Sequence, residues 1–157
     1  MKNLTFSLLL FGTIHLASCG NSGPVPINYN KDACDFCKMS ISESRFAAEL
    51  ITVKGRVYKF DDLKCLFQYD ASNKEVAVKN YFVADFSADK QLIDASSAFF
   101  IKSEMLRSPM GGNTAAFASQ KTAATHASKN QTSIIEWKDL TKTAQTEGNE
   151  HDGHQHH

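Results

Sequence analysis

The pattern of apolar and polar positions changes character several times along the chain. Residues 4–17, LTFSLLLFGTIHLA, form an apolar run behind a short positive opening, Met1-Lys2-Asn3. The run is too short to span a bilayer comfortably and small residues follow it, which is the layout of a secretory signal. Residues 20–30, GNSGPVPINYN, have little to bury and read as a flexible tether. From residue 45 the pattern becomes dense. RFAAELITV (45–53) and RVYKF (56–60) are strand-like, and the two-residue link Lys54-Gly55 between them predicts a β-hairpin. Asp61-Asp62 follows at once. Aspartate caps helices well and its charge suits the positive helix end. Apolar positions 63, 66 and 67 then predict a short helix over the hairpin, with Cys65 in its first turn.

The second half repeats this organisation with little residue identity. After a polar connection with a weak strand-like centre (73–80) come strands at 81–86 and 96–102. A loop with Pro109 and two glycines leads to an alanine-rich stretch, 114–128, which predicts a helix capped by Thr114 and closed by Asn130. Residues 133–137 predict a last strand. The order is ββα and then ββαβ, two small pseudo-repeated units. Short antiparallel strands with interleaved short helices make the fold class α+β. From Thr141 the apolar periodicity stops, so 141–157 is expected to be a disordered tail. The expected division is signal 1–18, tether 19–30, folded domain 31–140 and tail 141–157.

The charge balance, 17 basic against 17 acidic residues, points to no nucleic-acid partner. A folded part of this length has room for one core. The apolar run ends in Leu16-Ala17-Ser18-Cys19, which looks like a bacterial lipobox: the signal is cut before Cys19, and Cys19 carries lipid. An ordinary signal with a chance cysteine is the alternative. The lipobox reading puts the protein at the bacterial cell envelope as a periplasm-facing lipoprotein of the inner or outer membrane, held there through lipidated Cys19. Gly20, rather than aspartate, follows it, which in an enterobacterial-type sorting system permits outer-membrane transfer.

Four cysteines less the lipidated one leave Cys34, Cys37 and Cys65. In an extracytoplasmic protein an odd count means a free thiol, an intermolecular bond or a metal ligand. Residues 32–40, DACDFCKMS, hold Cys34, Cys37 and Met39. A thioredoxin-like C-x-x-C lies between a strand and a helix in a βαβ setting, and no strand precedes this one. A structural zinc site wants four ligands, often as two spaced pairs, and no second tight pair exists here. Cu(I) is soft and selects thiolate and thioether ligands, so a cysteine and a methionine two residues apart suit it. Met110, in SPMGGN on a glycine-rich loop, is a second thioether candidate; gap filling is its ordinary alternative. Met105 has no such support. Weaker metal candidates are Cys65, His126 and the tail residues His151, His154, His156 and His157. A short His-rich tract is a metal-binding pattern, and a solvated polar tail is the plain alternative. Cys65 reads equally as a packed core cysteine or as a disulfide partner of Cys34. No paired carboxylates, Ser-His-Asp arrangement or phosphate loop stands in a proper setting, so no enzyme is expected.

In order along the chain, CDFCKM, a hairpin, YKFDDLKCL, YFVADF, AFFIKS, SPMGGNTAAF and IIEW resemble the NosL family, accessory lipoproteins of nitrous oxide reductase. The resemblance spans about residues 33–140. It implies a fold similar to that of organomercurial lyase. It also implies a periplasmic Cu(I)-binding chaperone that supplies the copper centres of nitrous oxide reductase. The implied partners are a copper donor and nitrous oxide reductase or its membrane assembly machinery. By position, the family's Cys-x-Met element falls on Cys37 and Met39, and its Pro-Met-Gly element on Met110. Many family members carry Cys-Gly-Met where this chain has Cys37-Lys38-Met39, and not all have Cys34. The expected metal ligands are therefore Cys34, Cys37, Met39 and Met110. A lipoprotein thiol–disulfide oxidoreductase using Cys34 and Cys37 is the rival reading.

Overall fold

The computed structural model describes residues 23–151. Two small antiparallel sheets carry the chain. Strands β1 (Ala48–Thr52) and β2 (Val57–Phe60) form the expected hairpin, in register Ala48 to Phe60. Gly55 supplies the positive φ that the turn requires, +81°. Helix α1 (Leu63–Ser72) starts where Asp62, in extended conformation, accepts the Lys64 amide at 2.9 Å. Strands β3 (Val78–Ala84) and β4 (Leu92–Asp94) complete a sheet of order β2-β1-β3-β4. A 3₁₀ turn at Ala95–Ser97 leads to β5 (Phe99–Lys102), β6 (Thr114–Phe117), helix α2 (Gln120–Lys129) and β7 (Ile135–Glu136). The second sheet has order β6-β5-β7. Helix α3 (Trp137–His151) follows directly. The fold is α+β with antiparallel sheets and short helices.

The ββα unit is β1-β2-α1, and the ββαβ unit is β5-β6-α2-β7. The segment around 81–86 belongs to the first sheet, where β3 pairs with the central strand β1. Residues 114–117 are a strand rather than the first turn of a helix, and α2 begins only after Ser119. Alanine favours helix locally, but pairing with β5 overrides that preference. Strand alternation then sends Phe100 and Ala116 to the main core, while Ile101, Ala115 and Phe117 pack under α2 with Ala123 and Ala127.

Two segments expected to be unstructured are ordered. Residues 24–30 lie on the first sheet: the Val25 amide donates to Glu49 at 2.9 Å, and Lys59 Nζ donates to the Pro26 carbonyl at 2.8 Å. Ile27 and Tyr29 pack against the core. Apolar residues among the polar ones give this stretch something to bury. At the other end, residues 141–151 continue α3. Its first turn is docked through Trp137 and buried Leu140, and a docked turn removes the nucleation cost that a polar peptide would otherwise face. The expected signal at 1–18, Cys19, and His154, His156 and His157 lie outside the described residues. Among the described residues no helix is long and apolar enough to cross a membrane.

Candidate metal centre

The loop that bears the first two cysteines is closed by its own backbone. Ala33 bridges to Ser40, the Cys34 amide donates to the Met39 carbonyl at 2.8 Å, and the Lys38 amide donates to the Cys34 carbonyl at 3.0 Å. Lys38, between Cys37 and Met39, turns the chain at φ +66°. The loop is stitched to the free edge of β2. The Asp35 amide donates to the Lys59 carbonyl at 2.8 Å, and the Lys59 amide returns to Asp35 Oδ2 at 2.7 Å. The Lys59 ammonium meets Asp32 Oδ2 at 2.7 Å. This pairing sets Cys34 and Cys37 beside the end of β2, where the chain passes through Asp61 into α1.

Four donor side chains meet there. Ligand atoms of Cys34, Cys37, Asp61 and Cys65 all lie within 4.8 Å of one another. All three cysteines are free thiols, so the alternative of a Cys34–Cys65 disulfide is not realised. Cys34 and Cys65 are 0% exposed and Asp61 is 2% exposed; Cys37 is half-buried. The Cys37 thiol donates to Asp61 Oδ1 at 3.6 Å.

The three thiols differ in acidity. Cys34 is held down to about 6, first because the Cys65 thiol donates to it, and also because the backbone amides of Asp61, Cys37 and Phe36 point at its sulfur; burial opposes them. Cys65 is pushed up, since its proton is committed to Cys34 and it lies buried among negative groups. Cys37 is raised by burial first, against the Met39 amide, which lowers it; the negative charges of Cys34 and Asp61 add to the rise.

The two methionines are placed differently. Met39 is 60% exposed. Met110 is half-buried against the main core, and its amide donates to Asp62 Oδ2 at 2.9 Å. Asp62 also takes the Ser108 hydroxyl at 2.5 Å and the Gly112 amide at 3.3 Å, so one carboxylate ties the Met110 loop to the head of α1. Met105 is exposed. His126 lies elsewhere, its ring 4.9 Å from Phe117 and 5.5 Å from Phe86 in the core under α2. His151 ends α3, and its side chain is outside the described set. Reading the sequence missed Asp61 and Asp62, whose adjacent carboxylates both looked like cap candidates. The signal available was redundancy: a helix needs one cap, and two were present.

In this small α+β protein three free thiols and a carboxylate converge in a group that could hold a metal ion. The sequence profile of the NosL family matches residues 24–145, and the chain belongs to that family. Its fold is similar to that of a solved structure, the copper chaperone NosL from Shewanella denitrificans. The TM-score is 0.59 at 23% identity, covering 69% of this chain and 89% of that one. No curated protein sequence matches the chain.

Proposed function

We propose that this protein is a membrane-anchored, extracytoplasmic Cu(I) metallochaperone that supplies copper for assembly of the copper centres of nitrous oxide reductase. The observation that carries the reading is the pairing of buried, free sulfur donors with an exposed one on a single loop. Soft thiolate and thioether ligands select Cu(I). Handing an ion on by ligand exchange needs a ligand that an incoming partner can reach, and Met39 and half-buried Cys37 provide it. Met110, held by Asp62 beside the head of α1, is the further thioether. The donor, the nitrous oxide reductase acceptor and the lipid on Cys19 come from the family resemblance and the lipobox.

The oxidoreductase reading meets a physical objection. The thiol whose pKa is lowered, Cys34, is fully buried, while the pKa of the reachable thiol, Cys37, is raised. A disulfide-exchange enzyme needs its thiolate exposed to the substrate. The test is anaerobic titration of the detergent-solubilised full chain with Cu(I) against a chelator, followed by incubation with copper-free nitrous oxide reductase. Tight binding and activation of the reductase are expected. Failure to bind Cu(I), or a preference for Zn²⁺ with turnover of a disulfide substrate, would sink the proposal.

A further inference from the structure

We infer that Cys34, Cys37 and Cys65 form an inner three-thiolate seat in which Cu(I) rests, and that Met39 serves an outer position where the ion is captured and handed over, with Cys37 common to both. This rests on the copper reading above and specifies where the ion sits. The sequence alone favours a site made of Cys34, Cys37, Met39 and Met110, with Cys65 a weaker candidate. The structure adds Cys65, delivered from the first turn of α1.

Geometry carries the argument. Three sulfurs within 4.8 Å of one another leave their common centre at most about 2.8 Å from each. Metal–thiolate bonds run near about 2.3 Å, so shifts of about half an ångström close the set. Two of the three sulfurs are fully buried. A thiolate carries charge and a thioether carries none, and charge attraction strengthens where water is excluded. An ion offered both sets therefore moves inward, from exposed Met39 to the thiolates. Copper stays Cu(I) throughout and no electron moves. Each thiol that still carries its proton releases it as the Cu–S bond forms; in the metal-free site the Cys37 thiol donates to Asp61 Oδ1 at 3.6 Å. Delivery reverses the order: a partner's sulfur displaces Cys34 and Cys65 while Cys37 and Met39 still hold the ion.

X-ray absorption on the Cu(I)-loaded, detergent-solubilised full chain tests this without any substitution. Three short, equivalent copper–thiolate distances with no longer thioether component are expected. Cys65→Ser should then bring a thioether into the spectrum. It should also weaken Cu(I) binding at least about 100-fold, since losing a ligand costs no less than losing its outer support. Circular dichroism identifies a variant that has failed to fold, and the wild-type spectrum stands without it. Met39→Leu should slow transfer of Cu(I) to a chelator. A thioether already bound in the wild type, or full affinity in folded Cys65→Ser, overturns the inner seat and leaves the chaperone reading standing. Absence of copper binding overturns both.

Discussion

The Met110 amide donates to the Asp62 carboxylate at 2.9 Å, across 48 positions of sequence. Asp62 is fully buried, and its two oxygens accept four donors: the Lys64 amide on one side, and Ser108, Met110 and Gly112 on the other. It is at once the cap of α1 and the clamp of the Met110 loop. Asp62→Ala should destabilise the fold by about 3 kcal/mol or more, from the lost cap and the orphaned donors. Urea unfolding measures the loss, and hydrogen exchange should show the amides of Met110 and Gly112 exposed. Gly112→Ala tests the same clamp from the other side. A Cβ at 112 would come to 2.4 Å from Asp62 Oδ1 and 3.0 Å from Lys64 Cβ. That oxygen is fixed by the cap, so about 1–3 kcal/mol of stability should be lost.

Lys38 sits in the left-handed region between Cys37 and Met39. A side chain there brings Cβ against the backbone, at about 1–2 kcal/mol. Lys38→Gly relieves the strain, gives up the contact of Lys38 Nζ with the Asp35 carbonyl, and frees the unfolded chain. The net expectation is a gain of about 0.5–1 kcal/mol, read by thermal unfolding of the apo protein. A loss would mean that the lysine's own contacts outweigh the backbone strain.

What could be read from the sequence follows from how local its causes are. The hairpin and α1 were legible because Gly55 and Asp62 act within a few residues of themselves. Residues 114–117 were not, because their alanines prefer helix and only the distant partner β5 makes them a strand. Helix α3 was invisible beyond Leu140, since its surface is polar and its start depends on packing against α1. The metal centre divides in the same way. Cys37 and Met39 announced themselves by spacing, whereas Cys65 and Asp61 join only because the loop docks on β2 beside the head of α1.

Glu49 is the other buried carboxylate with a measurable consequence. It lies in the central strand β1, 0% exposed, with Oε2 accepting the Val25 amide and Oε1 without a partner. Burial pushes its carboxyl up to about 6, with Asp32 adding to the rise; the Val25 amide and Lys59 act against it. The folded state therefore holds this proton more tightly than the unfolded chain. Stability contributed by the group is full below about pH 4.5, falls as pH rises toward 6 and is lost above it. Glu49→Gln should be more stable than the wild type at pH 7.5, by up to about 2 kcal/mol, and equal to it at pH 4. Chemical denaturation at the two pH values checks the difference. A constant offset at both would show that the carboxylate is not the cause.

Trp137 joins the parts of the molecule. Its ring lies 5.5 Å from Phe67 of α1, 5.3 Å from Tyr81 of β3 and 5.6 Å from Phe100 of β5, so one side chain bridges both sheets and the helix that carries Cys65. Trp137→Ala should destabilise the protein by about 3 kcal/mol, at the low end for such a truncation because the indole is only half-buried. Trp137→Phe keeps most of the stacking and should recover most of the loss. Because this is the chain's single tryptophan, its fluorescence in the wild type reports the same packing directly. Unfolding followed by fluorescence and by circular dichroism should coincide if the two sheets form one cooperative unit. A fluorescence transition that comes first would mean that α3 undocks while the hairpin and the metal centre stay folded.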